Sequence, residues 1–175
     1  DFIDNEALGN MDHGFYITGQ SDPVLHKNEM VYNKGAGVLI TGNSMPKLTE
    51  HKIVGNQKPG VLINDKSNPS LSANVIEHGQ SVGVEVTGAG RGVFEKNIIQ
   101  ENVKANVWVT DRGDPSFDMN NQIIKSNGHG FLMGKGAKGS FSNCVIADNA
   151  DAGISLEACG SSYFTKNDIY KNDVT

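Results

Sequence analysis

GFYITGQSDPVLHKNEMVYNKGA (residues 14–36) runs straight into GVLITGNSMPKLTEHKIVGNQKP (residues 37–59). Both stretches are 23 residues long, and Gly, two alternating apolar residues, Thr, Gly, Pro, Leu, an apolar residue and Asn recur at matching places. A fixed period of roughly 20–50 residues marks a solenoid, in which one unit alone cannot bury its apolar side chains and a stack of units can.

Outward from this pair the chain keeps repeating. Full copies begin at Gly14, Gly37, Gly60, Gly83, Asn106, Gly130 and Gly153, and residues 1–13 are the tail of an earlier copy. The copy from Asn106 has 24 residues, its extra one falling in MNNQIIKSNGH (119–129), where a local bulge is expected. With the first residue of each copy as position one, positions two and four are apolar throughout, from Phe15 and Ile17 to Ile154 and Leu156. Position twelve runs Phe2, Leu25, Leu48, Leu71, Phe94, Phe117, Phe141, Phe164, and position seventeen is mostly Ile. Short apolar alternations rich in β-branched residues predict three short strands per copy, and no copy holds ten residues of helical period. The fold expected is all-β: a right-handed, three-faced parallel β-helix of about 7.5 rungs, 175 residues at 23 per rung. At ~4.8 Å between rungs the rod is roughly 35 Å long.

The turns agree. Position fifteen reads Asn5, Asn28, His51, Asn74, Asn97, Asn120, Cys144, Asn167, which predicts an amide ladder interrupted at His51 and Cys144. Asn10, Asn33, Asn56, Asn102, Asn149 and Asn172 repeat the device at position twenty. Asn at these bends, and Gly at position one, are also read as accommodating positive φ.

NPSLSANVIEHGQSVGVEV (68–86) and DPVLHKNEMVYNKGAGVLI (22–40) resemble the CASH repeats of the pectin-lyase-like superfamily, closest in flavour to the β-helix of F-box proteins. Gly92, Gly139 and Ser162 depart from the pattern, standing where Pro23, Pro46, Pro69 and Pro115 carry it. The resemblance covers essentially the whole chain. It implies the fold directly, and by analogy the substrate-receptor module of a cullin-type ubiquitin ligase or a rod in a cytoskeletal or ciliary assembly.

Chemistry is harder to find. Asp111 and Asp114 flank Arg112 in TDRGD (110–114), and GHG (128–130) matches a triplet that the resemblance associates with polygalacturonases, without that family's paired aspartates or its Arg-x-Lys. No two of the five histidines have metal-ligand spacing, so no metal, cofactor or catalytic residue is assigned. A net charge of −5 speaks against a phosphate-binding surface, and no apolar run is long enough to cross a bilayer. The two cysteines, Cys144 and Cys159, make no disulfide framework, which favours a reducing, intracellular setting.

One column is out of character. Position three lies between two inward residues and must face solvent, yet reads Tyr16, Leu39, Leu62, Glu85, Trp108, Leu132, Ser155. Stacking turns this column into an apolar stripe, and such stripes mark contact with a partner or cover by another part of the chain. The sequence thus reads as a single β-helix domain, a segment of a longer protein, that recognises or scaffolds other proteins without catalysis. Tyr16, Leu39, Leu62, Trp108 and Leu132 form its contact face. The uncapped ends are a second place for a protein partner. Carbohydrate is the less favoured ligand.

Overall fold

The computed structural model describes residues 1–173 and is a parallel β-solenoid of three sheets, with no helix among the described residues. The first sheet has eight strands, from Phe2–Ile3 through Val24–His26 to Ser162–Thr165. The second also has eight, from Glu6–Leu8 to Asp168–Tyr170, and the third has seven, from Phe15–Ile17 to Ile154–Leu156. Every pairing is between successive rungs and parallel. Leu25 meets Leu48, Ile53 meets Ile76 and Val84 meets Val107, so like stacks on like.

The inward positions fuse into one core. Val38, Ile40, Leu48, Leu71, Ile76, Val84, Val107 and Val109 have no exposed surface. Later rungs change Leu for Phe at position twelve, and the rings stack: Phe94 on Phe117 at 4.1 Å between centroids, Phe141 on Phe164 at 4.5 Å. Phe131 of the third sheet closes the centre edge-on to Phe117 at 5.4 Å.

The amide ladders are present, with three corrections. The rung from Asn106 places Asn121 in the column, not Asn120: the Asn97 side-chain amide and backbone N–H both donate to Asn121 Oδ1 at 3.0 Å. The extra residue is absorbed in the turn, where Met119 and Asn120 both take positive φ, and Gln122–Ile124 stays in register with Ile98–Gln100. An insertion there costs the turn one more left-handed residue, whereas a bulge would break the ladder of the strand. Second, His51 interrupts the side-chain relay that joins Asn5 to Asn28 and Asn74 to Asn97, but not the column's backbone bonds. Its Nδ1 accepts the Asn28 N–H at 2.9 Å, as an Asn oxygen does elsewhere, and its own N–H donates to Asn74 Oδ1.

Third, the left-handed residues are not those expected. The residue before each ladder position bends the chain: Lys27, Glu50, Ala73 and Lys96 have φ between 53° and 57°. The Asn that follows is then free to point inward. The glycines at position one have no positive φ either. They are there for space, since a Cβ on Gly37 would stand 2.6 Å from Gly60 O and 2.9 Å from Asn56 Nδ2. A further ladder, unforeseen from the sequence, lines the turn after the third sheet: Ser21 N–H donates to Ser44 Oγ and Ser44 N–H to Ser67 Oγ, at 3.2 and 3.1 Å.

Candidate functional site

The outer face of the third sheet is built from the alternation of its strands. Val38 and Ile40, or Val107 and Val109, turn inward, so the residue between them is forced out. Register then sets Tyr16 beside Leu39, Leu39 beside Leu62, Leu62 beside Glu85, Glu85 beside Trp108 and Trp108 beside Leu132. The five residues picked out from the sequence therefore share one face in one row, Tyr16 exposed and the others half-buried against their rung neighbours. The Trp108 indole leans over the next rung, its Nε1 lying 3.3 Å from where a Cβ on Gly134 would stand. That glycine makes room for the ring. Burial among these side chains pushes the Glu85 carboxyl above its ordinary value, with Lys104 opposing.

A second row runs beside the first. Position five holds Thr18, Thr41, Asn64, Thr87 and Thr110, whose backbone N–H groups continue the parallel ladder, as Thr41 to Ile17 O and Thr110 to Val86 O. Asn64 Oδ1 is buried there without a partner. The sequence reading missed this row, although its signal, Thr at a fixed place in four copies, was present in the repeat. The face is thus apolar along one line and hydroxyl- and amide-bearing along the next.

The other faces differ. Outward residues of the first sheet are mostly polar, Lys47, Ser70, Ser116 and Ser140 among them. Those of the second include Leu8, Val31 and Val54 on three successive rungs, Val75 beside Ile98, and Ile124, Ala147 and Tyr170 on three more, with Glu77 and Gln100 separating the two longer runs. The third sheet's row is apolar at five of the six rungs from Tyr16 to Leu132, broken at Glu85, and it carries both a Tyr and a Trp.

The enzyme-like stretches do not assemble. Asp111 and Arg112 sit exposed in a turn, 3.8 Å apart and at positive φ. His129 opens the strand His129–Met133, with its Nδ1 buried and unpartnered. No three His, Cys, Asp or Glu side chains converge among the described residues. Cys144 is buried, its thiol donating to Ser142 O, and burial pushes that thiol up to about 11.

A family model described as "Periplasmic copper-binding protein (NosD)" matches residues 2–116, and one described as "Right handed beta helix region" matches residues 107–175. No curated protein and no solved structure matches. The right-handed β-helix expected from the repeat is therefore found, while its F-box flavour has no counterpart in these matches. The intracellular setting expected above is overturned, because the matching family is a periplasmic one. The physical reason is that the cysteine count carried no compartment signal: Cys144 and Cys159 stand free in different turns, filling repeat positions.

Proposed function

The chain belongs to the periplasmic copper-binding protein (NosD) family, and from that premise we propose that it works outside the cytoplasm as a non-catalytic recognition module. The contact surface is the outer face of the third sheet, and the favoured ligand is a partner protein laid along the rod. One observation carries this reading: Tyr16, Leu39, Leu62, Trp108 and Leu132 form an in-register row on a face that has no reason of its own to be apolar. Large aromatics dominate interface energies, which makes Trp108 the first anchor to test.

The test sets Trp108→Ala against Val109→Ala. Trp108→Ala should weaken partner binding by about 2 kcal/mol while shifting the melting temperature little. Val109→Ala, a core truncation, should lose stability first, by roughly 2 kcal/mol. A photo-crosslinker at Leu39 or Leu132 should capture a discrete partner, and one at Ser70 on the first sheet should not. Equal capture from both faces, or unfolding by Trp108→Ala as severe as by Val109→Ala, sinks the reading.

The threonine row supports a second ligand class. A linear polysaccharide stacks its sugar faces on Trp and Tyr and hydrogen-bonds to flanking hydroxyls, and a rung spacing of ~4.8 Å is close to a sugar repeat. Titration with soluble linear glycans, with Thr87→Val and Thr110→Val as controls, separates this class from a protein partner.

A further inference from the structure

The family's description names copper, and a copper site makes a definite demand. Soft Cys and Met sulfurs and imidazole nitrogens, or a planar set of N and O donors, must converge on one point. This chain has five His, two Cys and five Met to offer. The solenoid distributes them one by one. Met30 and Met133 are core residues of different sheets, rungs apart. Met11, Met45 and Met119 are exposed, each in a different turn. Cys144 is a ladder residue whose thiol would have to ionise to bind metal, and its burial opposes that.

His78 lies 3.2 Å from Glu101 and His13 lies 3.3 Å from Asp12, each a single imidazole with a single carboxylate, and the imidazole pair on neighbouring rungs is His26 and His51. Both Nδ1 atoms are taken: His26 by Thr49 Oγ1 at 2.9 Å, His51 by the Asn28 N–H at 2.9 Å. The remaining His51 nitrogen, Nε2, is buried with no partner, and no third Cys, His or carboxylate group joins the pair among the described residues. The repeat explains the scatter. A column places the same residue type on successive rungs, so a solenoid builds a metal site by repeating a donor, and here the repeated polar residues are Asn, Ser and Thr.

We infer that this stretch of β-helix holds no copper through its own side chains, so that whatever copper role the family description denotes is exercised here by the rod as a contact surface and not as a ligand set. The experiment equilibrates the full protein with Cu(I) held by a chromophoric bicinchoninate chelator, and in parallel with Cu(II), alongside variants His26→Gln, His51→Asn, Cys144→Ser and His129→Gln. His51→Asn restores the residue that the ladder itself uses, so the fold is kept. The expected result is that the chelator keeps its copper at one equivalent of protein. Withdrawal of one equivalent that is lost in any of the four variants overturns the inference. Withdrawal that survives all four overturns it as well, because the copper then sits on other groups of this chain, such as His13, His78, Cys159 or a methionine.

Discussion

His51 is the one ladder residue whose role depends on pH. It must be neutral for Nδ1 to accept the Asn28 N–H, and burial pulls its pKa from 6.5 down to about 4. Between those values the unfolded chain binds a proton that the folded chain refuses, so stability rises with pH across that window and falls as the solution is acidified through it. The full effect is on the order of 3 kcal/mol. Urea melts of the protein at pH 7 and pH 4.5 should therefore differ more than melts of His51→Asn at the same two values. Parallel pH profiles would show that His51 is protonated without cost. At the same scale the half-buried Glu85, raised by burial, interrupts the apolar row with a group that binding would desolvate further. Glu85→Gln should leave folding intact and relax the pH dependence of partner binding, read by repeating the binding titration at pH 5 and pH 7.

Ladders and stacks belong to the element scale. Two departures from the repeat compensate one another: Asn106 replaces the position-one Gly, and Ser126 replaces the Asn between Asn102 and Asn149. Asn106 Oδ1 accepts from Asn102 Nδ2 at 2.9 Å, and its own amide donates to Ile124 O at 2.8 Å and Asn149 Oδ1 at 3.3 Å, bridging the gap that Ser126 leaves. Asn106→Gly alone should cost about 2 kcal/mol, because buried amides lose partners. Ser126→Asn alone should also destabilise, since two side chains then compete for one space. The double variant restores the parent pattern and should recover most of the loss, a coupling that a double-mutant cycle in denaturant measures directly. Additive losses would mean that the two sites are independent.

Across the whole molecule, stability rests on the stacked core and the buried ladders, not on charge. The ion pairs of Lys and Arg among the described residues lie at the surface: Lys27–Glu50 at 3.8 Å, Lys52–Glu29 at 4.0 Å and Arg112–Asp111 at 3.8 Å, each well exposed. Such pairs contribute little and are screened by salt. Raising sodium chloride from low to molar concentration should shift the unfolding free energy by less than about 1 kcal/mol. A larger loss would assign the fold an electrostatic component that its geometry does not show. Partner binding, if it uses the apolar row, should be as insensitive to salt as folding.

The period of 23 residues determined the fold on its own, because a repeat that cannot bury its apolar positions alone has one economical answer, and the in-register stack Leu25–Leu48–Leu71 is that answer. Alternation likewise determined that Tyr16, Leu39, Leu62, Trp108 and Leu132 share a face. The tertiary structure alone decided which residue bends each turn, since the column before the ladder residue varies among Asp, Lys, Glu, Ala and Asn and has no single sequence signature for positive φ. It also decided that Asn121 and not Asn120 continues the ladder, because two adjacent asparagines look alike until one of them must reach Asn97. Lastly, only the coil could show that the potential copper donors stay apart: their distances are set by which corner of which rung each one occupies, and that is a property of the stack.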